Sequence, residues 1–538
     1  MKKNHKKNNS SKKSSTPHLL PYKIFKNMAD FFYSKLDFIS NIPKLSLLSL
    51  VRFDKSQWQN FALLNYYGLI FGILFSAWLY AFVGIVEVCG GFSDSASMWL
   101  NIFGVIALSA LGIVSIACYL LAPVRIRFYF GFFAGILLLY WIALSFRYTP
   151  FPFLIPLVWL GIGFIIGAIF WILLFFKHII FRIFTLMILG SIHPFGFDWL
   201  VPQSFFAYSA FGVSEWDFLF VVVGVASLVV ALLRSDINFP KKSKKSRFSN
   251  TRPSVRICVG FFGVISLALA LDIGGLGGRH TQTSTDSSAK SNSQFGTKSS
   301  TDSSDLFLRE NFALAQTYFK QDFKWSKSAL DEIKEATFST IEQAKTNGKK
   351  AIILPETILP IVLDSQIATL EELQSISDDI AIILGAFSKP NFNSTYIIYK
   401  GDVQILNKVI LAPFGEKMPL PDFLAKPLLK LFFGIDEGLD SASVPQDFRL
   451  FRRVFRNAIC YEGTSKELYA DSPNLVVMIS NNGWFYPSIE PYLQRTLMKY
   501  YARKAKSTIL HSANLSPSFI LSSKVLDDNF DTVIHIKD

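Results

Sequence analysis

Residues 61–233 are almost continuously apolar, whereas residues 281–538 have the mixed composition of an ordinary soluble domain. The whole chain is 51% hydrophobic and contains 53 phenylalanines, which is unusual for a soluble protein. A helix that spans a bilayer needs about 20 apolar residues. An apolar stretch of this length therefore predicts several membrane helices, followed by a separate domain outside the bilayer.

Seven stretches are long enough, or nearly long enough, to span a membrane. The fifth is short and contains Arg182, so it is either a crossing or an interfacial segment. The stretches are 61–85, 99–122, 127–146, 152–176, 178–192, 215–233 and 254–273.

The net charge of +14 comes largely from two Lys-rich clusters, at 1–15 and 241–247. Clusters beside apolar spans set membrane orientation, and they do not form the basic stripe that nucleic-acid binding needs. With seven spans, both clusters face the cytoplasm and the residues after 274 lie outside it. If the fifth stretch does not cross, the last domain is placed on the opposite side.

Composition divides the chain into a basic cytoplasmic segment at 1–60, a membrane domain at 61–274, a tether at 275–304 and a final domain at 305–538. The tether is rich in Gly, Ser and Thr and has too few apolar residues to bury a core. In the final domain, strand patterns alternate with amphipathic helices. That alternation is typical of an α/β sandwich, in which ligands tend to bind at strand ends.

Glu356, Lys408 and Cys460 each stand at the end of a predicted strand. Together they have the residue types of a thiol nucleophile, a carboxylate that accepts its proton and an ammonium that stabilises an oxyanion. The alternatives are that Glu356 lies in a solvated turn, that Lys408 is an exposed strand residue and that Cys460 is a core thiol. No C-x-x-C motif predicts a metal site or a dithiol pair, and Cys460 has no second cysteine in its domain.

Several blocks of sequence resemble the bacterial apolipoprotein N-acyltransferase family of the nitrilase superfamily. The similarity extends over about residues 60–525 and includes a membrane segment. The blocks are "FGFDWLVP", "AQTYFKQDFKW", "IILPETILP", "NKVILAPFGEKMPLP", "AICYEG" and "ISNNGWF". The resemblance implies a polytopic α-helical membrane domain followed by a nitrilase-like αββα sandwich.

The resemblance also implies roles for individual residues. Glu356 would be the general base, Lys408 the oxyanion-stabilising cation and Cys460 the nucleophile. The backbone N–H of Tyr461 would be a second oxyanion donor. Further residues that match functional positions of the family are Glu416, Tyr461, Glu462 and Trp325.

Some positions depart from the family pattern. Gln494 stands where the family usually has His, "YARK" replaces R-A-x-E, and "NLS" at 514–516 replaces Asn-Asn-Gly. None of these is a triad residue, but each affects expected substrate contacts. No apolar stretch follows the final domain, which is therefore expected to be anchored at one end.

The resemblance implies an inner-membrane enzyme with a periplasmic catalytic domain and no metal or cofactor. It would move an acyl chain from a phospholipid to the diacylglyceryl-cysteine of an apolipoprotein through a cysteine thioester, acting as a monomer. The alternatives are a tethered amidase that uses water and a non-enzymatic sensor or transporter. We also expect the segment 423–434, with Leu431, Phe432 and Phe433, to be an apolar arm that enters the bilayer, or else a core helix.

Overall fold

The computed structural model describes residues 55–89, 98–232, 253–272, 274–276, 300–326, 328–434, 437–529 and 531–536. Most of the predicted basic segment, the 241–247 cluster and residues 277–299 of the predicted tether lie outside these ranges. The chain divides into two compact units, 1–63 and 64–538. Of the first unit, the structure describes only residues 55–63.

Six helices among the described residues are long and apolar enough to cross a membrane. The seventh predicted span, 254–273, is a shorter apolar helix of about 25 Å at 1.5 Å per residue. Its 17 residues are at the lower end of the range for a membrane-spanning helix, about 17–25 residues, so the count of seven spans stays a prediction. The helices of this part are α1 Lys55–Cys89, α2 Met98–Leu121, α3 Arg127–Leu139, α4 Ile155–Leu173, α5 Ile179–Leu189, α6 Glu215–Leu232 and α7 Pro253–Leu269.

Arg182, which weakened the fifth predicted span, is buried inside the helical bundle. Its Nη1 donates to the carbonyl oxygen of Leu120 at 2.6 Å, and its Nε donates to that of Phe176 at 3.2 Å. Both acceptors lie at or near helix ends, where carbonyl groups lack intrahelical partners. The guanidinium thus completes the ends of neighbouring segments, and α5 extends with its following turn to a candidate span at Ile179–Gly196.

The remainder of the chain forms a mixed sheet with helices on its faces. Helix α8, Ser300–Asn311, begins within the last residues of the predicted tether. The other helices are α9 Gln321–Lys324, α10 Leu330–Thr346, α11 Ile367–Ile376, α12 Asp422–Phe433 and α13 Glu490–Ala505. The strands are β1 Phe312–Thr317, β2 Ala351–Ile353, β3 Ala381–Ser388, β4 Phe392–Tyr399, β5 Asp402–Asn407, β6 Asp447–Leu450, β7 Arg453–Ile459, β8 Leu475–Asn481, β9 Thr508–Asn514, β10 Phe519–Leu521, β11 Asp528–Asn529 and β12 Val533–Ile536.

The sheet has the strand order β5-β4-β3-β2-β1-β9-β8-β7-β6. This order places β1–β5 in one half of the sheet and β6–β9 in the other. In each half, alternate residues of a strand point to opposite faces of the sheet. Ile352 packs in the cluster shared with α10 and α11, whereas Ile353 packs in a cluster with Val477 from the other half. Met478 faces away from that cluster, towards α13. The four layers are therefore helix, sheet, sheet and helix, and the predicted membrane-plus-sandwich architecture is confirmed.

Strands β1, β2 and β3 run parallel, as do β7, β8 and β9. Their carboxyl ends therefore meet at one edge. Strand β5 stops at Asn407. It stops there because the next backbone amides, of Val409 and Ile410, donate to the Glu462 carboxylate rather than to a strand. Lys408 consequently stands at the strand end and not within the strand.

Helix α13 joins the sandwich to the membrane helices through Arg503. The buried guanidinium donates to the carbonyl oxygens of Phe206, Ala207 and Phe211, at 3.0, 3.1 and 2.9 Å. It also pairs with Asp272 at 2.9 Å. A charged group that satisfies several carbonyl groups at once stabilises one docking geometry, because moving it would leave all of them unpaired.

Candidate active site

The Glu356 carboxylate is buried where the turn after β2 meets the ends of neighbouring strands. Asn393 Nδ2 donates to its Oε1 at 2.7 Å, and the backbone N–H of Asn481 donates to its Oε2 at 2.8 Å. Both carboxylate oxygens are therefore held by fixed donors. A carboxylate held in this way is fixed in one orientation. This suits a general base, which must face the group whose proton it accepts and later returns.

Lys408 lies between two carboxylates. Its Nζ is 2.7 Å from Glu416 Oε2 and 3.8 Å from Glu356 Oε1, and its side chain is almost fully buried. Burial acts to lower the pKa of Lys408, but the charges of Glu416 and Glu356 outweigh it and hold the pKa above the usual range. Lys408 is thus held as a cation at this edge of the sheet. Asn393 Nδ2 donates to the neighbouring Glu416 carboxylate at 3.1 Å.

Cys460 follows β7 directly and has a left-handed backbone with φ of 54°. This conformation is uncommon for a residue with a Cβ. Burial and the Glu356 carboxylate raise the pKa of the thiol well above its usual value, while Lys408 acts to lower it. This environment favours the neutral thiol over the thiolate.

Glu462 is a structural clamp rather than a solvent-facing acid. Its Oε2 accepts the backbone N–H groups of Val409 at 2.8 Å and Ile410 at 3.1 Å, and its Oε1 accepts that of Ile459 at 2.9 Å. Burial raises the pKa of Glu462 to about 7, against the opposing effects of Lys408 and these amides. The clamp ties the segment after Lys408 to Ile459, the last residue of the strand before Cys460.

Tyr461 reaches from the sandwich into the membrane domain. Its hydroxyl donates to Asp198 Oδ1 at 2.5 Å and accepts the backbone N–H of Asp198 at 3.0 Å. Its ring stacks on Trp199 with centroids 5.9 Å apart, and Trp199 Nε1 donates to Thr464 Oγ1 at 2.7 Å. The residue after the candidate nucleophile is therefore positioned by the loop after α5. The oxyanion role of its backbone N–H stays a prediction.

Of the predicted substrate residues, Trp325 and Leu431 are exposed and Phe432 is half-buried. The Trp325 ring is 41% exposed and lies 6.3 Å from the Trp484 ring. Helix α12 is amphipathic rather than a core helix, since Phe423 is 74% and Leu431 54% exposed. The Phe432 ring packs against two aromatic rings of the membrane domain, and the side chain of Phe433 lies outside the described residues. The two rings are those of Phe146 and Phe151, at 5.7 and 5.6 Å.

Sequence reasoning missed several residues that shape the site. Lys324 lies in the block "AQTYFKQDFKW" but was given no role, yet its Nζ donates to the carbonyl oxygen of Glu356. Asn393 carried no signal beyond a polar residue in an apolar strand. Asp198 could have been identified from the sequence, because an acidic residue among aromatic residues at the end of a membrane span is usually functional. Among the described residues no group of three His, Cys, Asp or Glu is arranged to hold a metal ion.

Comparison with known proteins now decides the family. Residues 61–239 match a family model described as the apolipoprotein N-acyltransferase integral membrane domain. Over 425 residues the chain is 41% identical to the apolipoprotein N-acyltransferase of Helicobacter pylori, covering 78% of this chain and 88% of that protein. The chain belongs to the apolipoprotein N-acyltransferase family. The apolipoprotein N-acyltransferase of Wolinella succinogenes is 36% identical over 449 residues, or 81% of this chain and 95% of that one.

Solved structures of the nitrilase superfamily match the sandwich region at low identity. A CN-hydrolase superfamily protein of Xanthomonas campestris is 13% identical with a TM-score of 0.31, covering 40% of this chain and 83% of that one. A nitrilase-superfamily amidase of Nesterenkonia is 15% identical with a TM-score of 0.29, at 40% and 83% coverage. As a member of the apolipoprotein N-acyltransferase family, the chain is a multi-pass membrane acyltransferase.

Proposed function

We propose that this protein transfers a fatty acyl chain from a phospholipid to the α-amino group of the N-terminal diacylglyceryl-cysteine of lipoproteins, through a thioester on Cys460. The observation that carries the proposal is the buried Glu356–Lys408–Glu416 cluster beside Cys460, on a sandwich docked against membrane helices. The relatives bear the name of this reaction. The chemistry of the residues is sufficient for both of its half-reactions.

In the first half-reaction, Glu356 accepts the proton of the Cys460 thiol as Sγ attacks the ester carbonyl carbon of the phospholipid. The oxyanion is stabilised by the Lys408 ammonium and the backbone N–H of Tyr461. The carbon–oxygen ester bond breaks, and Glu356 returns the proton to the departing oxygen. The products are a lysophospholipid and an acyl thioester on Cys460.

In the second half-reaction, the acceptor amine attacks the thioester carbonyl carbon. Glu356 accepts a proton from the nitrogen as the carbon–nitrogen bond forms, the carbon–sulfur bond breaks, and the proton passes to Sγ. The free thiol is restored, so one enzyme group serves two substrates in turn. No metal or cofactor is needed for the balance of either step.

Both substrates are lipids of the outer leaflet, so we place the enzyme in the inner membrane with the sandwich on the periplasmic side. Helix α12 presents exposed apolar side chains, and it contacts the membrane domain through Phe432. We assign it to the apolar arm that covers the acyl chain and excludes water. Exclusion of water separates a transferase from an amidase with the same residues.

The decisive experiment is intact mass spectrometry of the detergent-solubilised protein after mixing with phosphatidylglycerol. An acyl adduct is expected on the native protein and on Cys258→Ala, which removes another free cysteine, and none is expected on Cys460→Ala. A diacylglyceryl-cysteine peptide with a free amine should discharge the adduct. An adduct that persists in Cys460→Ala, or steady release of free fatty acid without any amine, contradicts the proposal.

A further inference from the structure

Three buried polar atoms near the candidate nucleophile have no hydrogen-bond partner within the described residues. They are Glu490 Oε2, Gln494 Nε2 and Asn482 Oδ1. Glu490 and Gln494 are one turn apart on α13 and so share a face. Asn482 Nδ2 donates to Gln494 Oε1 at 3.0 Å, which places the amide groups together. Native proteins rarely leave such atoms unpaired, because each loses its hydrogen bonds to water on burial.

The cluster adjoins the candidate catalytic residues. Asn482 directly follows Asn481, whose backbone N–H binds Glu356. The Glu490 carboxyl is close enough to raise the pKa of Cys460. Burial, and then the charge of Glu356, raise the pKa of Glu490 well above its usual value. Two neighbouring buried carboxyl groups repel each other when both are ionised, so a ligand group that donates a hydrogen bond to Glu490 stabilises this side of the site.

The donor and acceptor types of the three atoms define what fits. The carboxyl and amide oxygens accept hydrogen bonds, and the Gln494 amide nitrogen donates one. The N-terminal residue of a peptide carries the complementary set, an amine that donates and an adjoining carbonyl oxygen that accepts. The ester region of a phospholipid has acceptors only, so it cannot donate a hydrogen bond to Asn482 Oδ1. The pattern therefore fits the acyl acceptor and not the acyl donor.

We propose that Glu490, Asn482 and Gln494 form the subsite that binds the N-terminal α-amino group of the acceptor and its adjoining peptide carbonyl. The amine donates to Glu490 Oε2 and Asn482 Oδ1, and the carbonyl oxygen accepts from Gln494 Nε2. The inference deepens the proposed function and rests on it. It assigns a role to Gln494, one of the positions at which the sequence departs from the family pattern.

The test measures discharge of a preformed acyl-enzyme by two small amines. Cys460 is loaded either by phosphatidylglycerol or by the soluble ester p-nitrophenyl butyrate, and glycinamide is then compared with ethylamine. Glycinamide has the amine and the carbonyl, whereas ethylamine has the amine alone. The native enzyme should prefer glycinamide, and Gln494→Ala should reduce that preference about tenfold. Gln494→His keeps a ring N–H donor and should retain most of it.

Glu490→Gln should slow discharge by both amines at least tenfold more than it slows acylation, with the exposed Glu467→Gln as the matched control. An unchanged amine preference in Gln494→Ala, or an equal loss of acylation and discharge in Glu490→Gln, overturns the subsite. Thermal unfolding of each variant identifies a folding defect. If phosphatidylglycerol forms no thioester, the proposed function fails, while the p-nitrophenyl butyrate arm still tests the subsite.

Discussion

Lys324 Nζ donates a hydrogen bond of 3.0 Å to the carbonyl oxygen of Glu356 and another of 3.0 Å to Thr357 Oγ1. Thr357 has a φ of 46°, which is an outlier for a β-branched residue. Gly385 lies against the same turn, where an added Cβ would be 2.6 Å from Glu356 Cα. The lysine therefore stabilises a strained turn that orients the candidate general base. Burial lowers the pKa of Lys324 to about 7.

Replacing Lys324 by Met should lower the rate of Cys460 acylation by about ten- to a hundredfold, because a small displacement of a catalytic group has effects of this size. The readout is acyl-enzyme formation by intact mass over a range of pH. Lys334→Met is the matched control, since Lys334 donates to Thr369 on the outer helices. Equal rates in the two variants would show that the turn does not need Lys324.

Asn393 connects two carboxylates, so Asn393→Asp adds a third negative charge beside Glu356 and Glu416. Like charges favour protonation. The pH at which acylation reaches half its maximum should therefore rise, and the maximal rate should fall. The comparison is with Asn391→Asp, whose side chain donates to Gly438 at an exposed position. A pH profile that matches the native one would exclude this electrostatic coupling.

The Asp198–Tyr461 hydrogen bond predicts non-additive substitutions across the domain junction. Asp198→Ala and Tyr461→Phe should each lower acylation about tenfold, and the double variant should lose little more, because either change removes the same side-chain hydrogen bond. The ring stacking on Trp199 remains in each variant. A double-mutant cycle of acylation rates measures the coupling. Losses that simply multiply would mean that the two residues act independently.

The raised pKa of Glu462 predicts that the stability of the folded protein depends on pH. Its pKa is about 7 in the folded protein and 4.5 as the usual value, so the folded state binds the proton more tightly. Its contribution to the free energy of unfolding is therefore full below about pH 4.5 and declines as the pH rises through 7. Glu462→Gln should flatten the fall of the unfolding temperature between pH 5 and 7. Glu467→Gln, at an exposed site, should keep the native slope.

The proposed role of helix α12 in covering the acyl chain can be tested by comparing two ester substrates. Leu431→Ser combined with Phe432→Ser should slow acylation from phosphatidylglycerol vesicles about tenfold more than acylation by p-nitrophenyl butyrate. The reason is that a short soluble ester has no long chain to cover. Lys426→Gln, in a surface pair with Glu437, is the control. An equal effect on both substrates would assign the helix to folding instead of lipid handling.

Strand patterns predicted that Glu356, Lys408 and Cys460 each follow a strand, and the similarity of the flanking sequences selected these three residues. Parallel strands end at the same edge, so residues far apart in the chain meet when each follows a strand. The second glutamate, Glu416, came from the similarity of its flanking sequence. The amphipathic nature of α12 was left open, since a short apolar run does not distinguish an exposed helix from a core helix.

Contacts between distant segments could not be predicted. Asp198 and Tyr461 are separated by 263 residues, and no local pattern shows which loop of a membrane domain contacts which strand end. Asn393 was missed for another reason. Its side chain faces the site because of the register of β4 against β3, and a shift of one residue would turn it away. The register of two strands is set when the sheet folds, and the sequence of one strand does not show it.

The left-handed backbone at Cys460 has a consequence for how this family can change. Such a conformation costs a residue with a Cβ about 1–3 kcal/mol, and glycine adopts it without that cost. Selection for a more robust fold therefore acts against the thiol itself. A lineage released from the need to acylate would be drawn towards glycine at this position, and the persistence of cysteine would mark continued demand for the reaction.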